Sequence, residues 1–452
     1  MGPFYNDAIQ FLAPSGESFM PELIASCVFH RLLSDARKRL SSNVSKAVIT
    51  VPCHFNTAQK MATRNAARIA GIHVVAMIAE PQAAVLNFLH STQQLDKLKN
   101  MSDLFLVIDF GGGTLDVSVV NVYGNGITVL RSDGDQYLGG QDLTEVIVRY
   151  CLKKIAKEHG DDWLNHPGLR SHLYTLCEDH KIRLSNVDSA DISVDYRTIS
   201  QKIPYTRSRF EKGCEHHFQK LDVIINDVTK AGLEISKCLL IGGSSKIPAV
   251  VDRIRRVFNR TEDESFIIPH AHFDSDGDLN VAKGAACYHL TQVAEALSLD
   301  IGIGLSDFSM DVLLPRNLPV HSNRFDYRFK TSIPHQAEAI FPFYEGNDDD
   351  IRNNHYLGAL CFPIPNRKSV YLHMEILVED GIVKVQAYHE ETPDNPTQVT
   401  LTHQNILPDS KVADFAEILK GLILETDENL LILRRSIYSL HNIIDSFLAI
   451  CI

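Results

Sequence analysis

The sequence predicts an α/β domain built on a covered mixed or parallel sheet, followed by an all-β module and a helical tail. Three observations carry that prediction. Over residues 22–78, β-branched runs alternate with amphipathic helical stretches, the order of a sheet with helices on its faces. Two apolar runs of strand length end in glycine-rich turns, LFLVIDFGGGTLD at 104–116 and CLLIGGSSKIP at 238–248. From 297 to about 402, short apolar strands between turn residues replace the helical period, which returns from residue 410.

Composition bounds the reading. With 452 residues, 44% of them hydrophobic and 22% charged, the chain has the make-up of an ordinary globular protein of two to four domains. A formal net charge of -12 argues against nucleic acid or an anionic membrane as partner, while leaving small anions held by backbone amides open. Nine cysteines, an odd number with no CxxC spacing, fit reduced thiols in a cytosol-like compartment. There is no apolar run of about 20 residues, and the opening MGPFYNDAIQF lacks the shape of a signal peptide, so cytoplasm is the expected location.

In chain order, residues 22–40 carry Leu23, Ile24, Val28, Leu32 and Leu33 at helical spacing. AVITVP at 47–52 is a short strand stopped by Pro52, residues 56–70 form a second helix, and 73–78 a buried strand leading into Ala79-Glu80-Pro81. Glu80 stands where α/β folds place functional groups, and equally where a helix dipole favours an acid. The run 104–116 is a strand delivering Asp109 to Gly111, Gly112, Gly113 and Thr114, with a second acid at Asp116. Glycines let backbone amides close on an anion, Thr114 offers a hydroxyl, and Asp109 suits a hydrated divalent cation beside phosphates. A lone GGGT serves as well for a tight hairpin turn. Residues 117–130 alternate as two strands about Asn125-Gly126. DQYLGGQD at 135–142 precedes a helix over 143–159. On a further helix over 172–185, Glu178, Lys181 and Ser185 share one face, a pattern usual for a solvated surface. A strand over 190–196, a helix over 208–225 and the second glycine turn follow, the last at a helix N-terminus near Pro248. Two strand-then-Gly-Gly elements suggest a nucleotide clasped between lobes.

In the all-β stretch, strands are expected at 311–314, 340–344, 371–378 and 382–388, with Asp380-Gly381 as a hairpin turn and Pro342 marking an edge or bulge. Other clusters fail inspection. Asp274, Asp276 and Asp278 resemble a calcium loop, but Leu279 stands where glycine is required and Ala285 where the closing acid belongs. Cys214 with His217, and His270 with His272, lack a second pair at zinc spacing.

The segments AVITVPCHFNTAQKMATRNAARIAG, AEPQAA, VIDFGGGTLDVSV, GDQYLGGQD, CEDHKIRLS, TRSRFE and LIGGSSKIP fall in the order and spacing of the 70-kDa heat-shock chaperone family, which this chain resembles over nearly its whole length. The resemblance implies an actin-like (ribonuclease H-like) nucleotide-binding domain at 1–292. It also implies a peptide-binding β-sandwich at 297–402, carried more loosely by RNLPV, FYEGN, NNHYLG and VEDGIVKVQA, and a short helical lid at 403–452. It implies ATP or ADP with Mg as cofactors. Asp109 would hold the ion through water, Gly111–Thr114 would meet the β/γ-phosphates, and Glu80 would orient water or metal. Gly139, Gly140, Gly242, Gly243 and Ser244 would cradle phosphate and ribose. Glu178, Lys181 and Ser185 would meet the adenosine, with Asp278 as a nucleotide-side acid. Pro52 would relay nucleotide state between domains, and Phe329, Ser332, Ala339 and Phe341 would line the peptide cleft, although apolar strand residues are more often core. Implied partners are unfolded or extended polypeptides, co-chaperones and nucleotide-exchange factors, with no nucleic acid and no membrane.

Departures from the family pattern shape the functional expectation. Members begin with a strand, a first phosphate loop of the DLGTT type and a catalytic lysine; this sequence contains neither loop nor lysine and is expected to be an N-terminally truncated or divergent member. Gln141 stands where an acid is usual, Gln82 replaces a small hydroxyl residue, and Ile182 occupies the place of an arginine that stacks on adenine, a change of roughly 1 kcal/mol or more. The expectation is therefore a chaperone-like protein of the stress response that binds nucleotide and assists folding, with weak or absent ATP hydrolysis. The alternative is a non-enzymatic client or co-chaperone binder without a nucleotide cycle. An actin-fold sugar kinase is disfavoured by the β-module and lid.

Overall fold

A computed structural model describes residues 11–12, 18–424 and 450–451, apart from 125, 231, 261–262, 264, 269–278, 294–296, 317, 319–323, 332–336, 365–370, 380–381, 391 and 402–408 within that span. The expectations resting on Asn125, His270, His272, Asp274, Asp276, Asp278, Ser332, the turn at 380–381 and the stretch 425–449 lie outside the described residues. The chain divides into two compact units, one spanning Glu80–Thr291 and one combining Met1–Ala79 with Gln292–Ser436.

The combined unit begins with helix α1 (Pro21–Leu40), strand β1 (Lys46–Val51), helix α2 (Thr57–Ile69) and strand β2 (His73–Ala79). β1 and β2 are parallel, as the intervening helix requires, and Ile450–Cys451 pairs antiparallel with β1. Phe29 and Leu33 bury one stripe of α1, and Met61, Ala66 and Ile69 one stripe of α2. Pro52 follows β1 directly, where its missing N–H ends the ladder. α2 starts at a reciprocal capping box: Gln59 N donates to Asn56 Oδ1 and Asn56 N to Gln59 Oε1, both at 2.9 Å.

The Glu80–Thr291 unit contains α3 (Glu80–Ser91), β3 (Ser102–Phe110), β4 (Leu115–Tyr123), β5 (Gly126–Asp135), α4 (Gly140–His159), α5 (Pro167–Leu184), β6 (Ser189–Tyr196), β7 (Ile199–Thr206), α6 (Arg207–Gly213), α7 (Glu215–Thr229), β8 (Lys237–Ile241), α8 (Pro248–Val257), β9 (Ile267–Ile268) and α9 (Asn280–Ala286). Its sheet runs in the order β9-β8-β3-β4-β5, parallel across β9, β8 and β3 and antiparallel across β3, β4 and β5. This is the mixed sheet the alternation predicts. Leu106, Ile108 and Phe110 of β3 join Leu143, Ile147 and Cys151 of α4 and Leu173 and Cys177 of α5 in one apolar core. The single helix expected over 208–225 is broken at Cys214, next to Gly213, where a Cβ would lie 2.7 Å from Val146 Cγ1 of α4. α4 begins at Gly140 rather than 143, which places Gly139 and Gly140 at a helix N-terminus.

The rest of the combined unit holds β10 (Ile301–Gly304), β11 (Met310–Leu314), β12 (Arg324–Lys330), β13 (Glu338–Glu345), β14 (His355–Pro363), β15 (Tyr371–Glu379), β16 (Ile382–His389), β17 (Thr392–Leu401) and helix α10 (Asp409–Leu424). They form two four-stranded antiparallel sheets, β11-β10-β13-β14 and β12-β15-β16-β17, and Ile301, Leu314 and Phe343 of one share a core with Leu372, Ile376 and Val385 of the other. Pro342 is accommodated as its chemistry demands: β10 pairs only with Phe343–Glu345, so Pro342 faces β14 alone, next to a register shift at Phe343/Tyr344. α10 packs on α2 and α1.

Glu345, at the end of β13 and almost fully buried, accepts from Thr57 Oγ1 at 2.7 Å and from Thr57 N at 3.1 and 3.3 Å. Thr57 opens α2, so the carboxylate meets unpaired first-turn amides at the positive end of a helix dipole. Glu345→Ala is expected to lower unfolding free energy by about 1–3 kcal/mol, and Glu345→Gln by less. Denaturant titrations of both variants check this; an alanine variant as stable as the parent would show the contact to be idle.

Candidate functional site

β3 carries four buried residues, Phe105 to Ile108, to the end of the sheet and releases Asp109 there. Residues 111–114 then turn the chain into β4, closed by Gly111 N donating to Thr114 O at 3.1 Å. By itself this is the tight hairpin turn that GGGT also allows. Two further glycine segments meet it, however. Gly140 N donates to Gly111 O at 3.0 Å and Gln141 N to Gly112 O at 2.8 Å, so the start of α4 is laced to the loop by backbone bonds. A Cβ on Gly139 would lie 2.4 Å from Gly112 O and from Gly113 Cα, which no side chain tolerates. From the far side, Ser244 Oγ donates to Gly111 O at 2.9 Å. Gly242, at φ +78°, passes so close that a Cβ would be 2.5 Å from Phe110 O and 2.7 Å from Asp109 Oδ1. Gly112 and Gly243, in contrast, face open space, so nothing in the packing requires glycine there. The three segments thus meet in one patch of backbone beside a helix N-terminus, the kind of arrangement that suits phosphate-like anions.

Electrostatics favour a cation beside that surface. Asp109 and Asp116 stand directly opposite in the β3–β4 ladder, on one face of the sheet. Burial, then the Asp116 carboxylate, push the Asp109 carboxyl up to about 7. Facing carboxylates are hard oxygen donors of the type that suits a hydrated magnesium ion.

The face of α5 is not a solvated surface. Lys181 is 6% exposed, and its Nζ donates to Gly140 O at 2.8 Å, Thr144 Oγ1 at 3.0 Å and Glu178 Oε2 at 2.8 Å. Desolvation lowers its pKa, opposed chiefly by the Glu178 charge. Ser185, one turn on, is the C-cap of α5, and Ile182 is exposed. The structure therefore brings together Asp109, the loop 111–114, Gly139, Gly140, Glu178, Lys181, Gly242 and Ser244. Thr144, which bonds both Glu178 and Lys181, escaped the sequence reading; its signal is a position four residues after Gly140, on the same face of α4. Glu80 opens α3 and is buried, at the dipole-favoured position. In the other unit, Phe329 and Phe341 lie 5.1 Å apart between ring centroids, packed against the shared core, and Ala339 lies within it.

The raised Asp109 value has a definite sign. An acid that ionises near 7 folded and near 3.8 unfolded contributes stability that is complete below 3.8 and lost as pH rises through 7. Asp109→Asn is expected to stabilise the ligand-free protein at pH 8, on the order of 1–3 kcal/mol, and to leave it unchanged near pH 4. Thermal melts across that range check it; a gain independent of pH would contradict the assignment.

The sequence model of the family described as Hsp70 protein matches residues 6–429. The chain is similar to "Chaperone protein dnaK" of Guillardia theta, at 30% identity over 431 residues, covering 90% of this chain and 66% of that protein. It is equally similar, at 30% over 407 residues, to a "Ribosome-associated molecular chaperone" of Zygosaccharomyces rouxii, covering 85% of this chain and 64% of that one. The "Stromal 70 kDa heat shock-related protein, chloroplastic" of Spinacia oleracea is 30% identical over 430 residues, 90% of this chain and 69% of its own. The chain thus spans about two thirds of the length of these relatives. With the match running through both compact units, and the glycine segments converging as described, the chain belongs to the Hsp70 family.

Proposed function

We propose that this chain is a chaperone-like protein that binds ATP or ADP with magnesium in the Glu80–Thr291 unit, binds extended polypeptide with the paired sheets, and hydrolyses ATP weakly or not at all. The observation that carries the reading is the meeting of three glycine segments around Asp109, with Gly139 and Gly242 admitting no Cβ. In this reading the loop Gly111–Thr114 meets the phosphate oxygens through its Gly112 and Gly113 amides and the Thr114 hydroxyl, while Gly111 N and the first amides of α4, which donate within the protein, hold Gly139 and Gly140 beside it. Asp109, with Asp116 opposite, holds the metal's hydration shell, and Glu80 orients water or metal. When bound, the ion neutralises charge on the phosphates. Gly243 and Ser244 lie against the phosphate and ribose, Glu178, Lys181 and Ser185 face the nucleoside, and Asp278 is a further nucleotide-side acid. Pro52 relays nucleotide state, and Phe329, Ser332, Ala339 and Phe341 form the cleft of the β-sandwich, with α10 as the start of a lid.

Weak turnover is part of the proposal because anhydride cleavage draws on cationic groups placed against the transferred phosphate. Lys181 is already committed to three acceptors, and an exposed aliphatic, Ile182, stands beside it. Those same facts favour the second reading, a client or co-chaperone binder without a nucleotide cycle. Eight described cysteines take part in no disulfide, and no described helix is long and apolar enough to cross a membrane; a reducing compartment such as cytoplasm is our reading.

Calorimetric titration of ADP with Mg is expected to give saturable binding that Gly139→Ala and Asp109→Asn each weaken about tenfold or more. No heat in the parent chain would remove the nucleotide reading. An extended apolar peptide, titrated with and without ATP, is expected to bind; affinity indifferent to ATP would favour the second reading over the first. Steady-state phosphate release is expected near background, and a rate like that of an intact chaperone of the family, measured alongside, would contradict weak turnover.

A further inference from the structure

Thr144 sits on the first turns of α4 with its side chain completely buried. Three polar groups converge on its one hydroxyl. Oγ1 lies 2.9 Å from Gly140 O, makes a short contact with Glu178 Oε2, and accepts from Lys181 Nζ at 3.0 Å. A hydroxyl carries one proton, so it donates to a single oxygen at a time, and the charged carboxylate is the stronger acceptor. The ammonium opposite has three protons and three acceptors: the Gly140 carbonyl, the Glu178 carboxylate and this hydroxyl. It is also pressed against the cradle, since a Cβ on Gly140 would lie 2.8 Å from Lys181 Nζ and 2.6 Å from Ser244 Oγ. Both ends of the Glu178–Lys181 pair are therefore fixed by a residue that faces no open space itself.

We propose that Thr144 is a positioning residue of the nucleotide site, its hydroxyl holding Glu178 and Lys181 in one arrangement at the lip of the glycine cradle. The proposal rests on the nucleotide reading above for its functional consequence and on the hydrogen-bond geometry alone for its structural part. Thr144→Val keeps the shape and the methyl group but strands one buried ammonium proton and removes a donor from the part-exposed Glu178 carboxylate. Thr144→Ser restores the hydroxyl.

Two measurements on the full chain test it. The first is the rate of Lys181 acetylation by acetic anhydride at pH 8 without nucleotide, followed by mass spectrometry, with exposed Lys153 and Lys154 as internal controls. Thr144→Val is expected to raise the Lys181 rate several-fold relative to those controls, because an ammonium short of an acceptor gives up its proton more readily, and Thr144→Ser to return it toward the parent value. The second is ADP affinity with Mg, expected to fall about tenfold in the valine variant and less than about threefold in the serine variant. An unchanged Lys181 rate in the valine variant overturns the proposal, as does a raised rate with unaltered ADP affinity, or a serine variant that fails to rescue. A parent chain that binds no ADP, with Lys181 still responding to Thr144, overturns the nucleotide reading and leaves the positioning geometry standing.

Discussion

The absence of two Cβ atoms decides the architecture of the candidate site. Gly139 and Gly242 approach the 109–114 loop from opposite sides at distances no side chain permits, and this lets three backbone segments share one surface. The mixed sheet supplies the rest of the geometry. β3 and β8 are parallel neighbours in register from Phe105 with Lys237 to Asp109 with Ile241, so the turns after them emerge at the same end. α4 is then tied to the first of these turns by its opening amides, Gly140 N to Gly111 O and Gln141 N to Gly112 O. In an open sheet with parallel strands, that end is where ligands bind, and here the connectivity and the glycines agree.

Charge follows from the same closeness. Asp109 is desolvated and faces Asp116, both of which disfavour its ionised form. Lys181 is equally desolvated, but its charge is answered by Glu178, the Gly140 carbonyl and Thr144. The site thus holds two facing carboxylates on the sheet and, on α5, an ion pair with its own hydrogen-bond partners. The first is suited to a hydrated metal and the second to fixing geometry. Stability surrendered at such positions is the usual trade for a site prepared before its ligand arrives.

The other unit is organised by a different contact. Glu345 reaches the first turn of α2, and its carboxylate answers donors that a helix leaves unpaired at its start. Because Glu345 ends β13, the strand that pairs with both β10 and β14, the anchor is set by the register of that whole sheet.

Much of this was legible in the sequence. Strand-length apolar runs before Asp109 and before Gly242, the helical periods over 22–40 and 56–70, and the hairpins of the β-module all reflect burial, which a chain advertises through the spacing of its apolar residues. Boundaries were less legible. α5 begins at Pro167 because proline suits a first helical turn and His166 caps it through Nδ1 accepting from Leu169 N, and the 208–225 helix breaks where Gly213 touches α4. Strands such as β12, RFDYRFK, and β14, HYLGALCFP, were missed because polar and aromatic residues on a half-covered sheet give no clean apolar run. GGGT alone did not separate a hairpin turn from an anion loop; the structure shows the turn, with two further glycine segments brought against it. The arrival of residues 139–140 and 242–244 there depends on sheet order and on α4 starting at Gly140. Thr144 was invisible for the same reason: a threonine in a helix has no special pattern until Glu178 and Lys181, more than thirty residues later, are folded onto it. The sequence by itself determined which elements form and which residue types can hold an anion or a cation. Tertiary structure alone decided which of them meet, because proximity between distant segments is set by packing and register rather than by local preference.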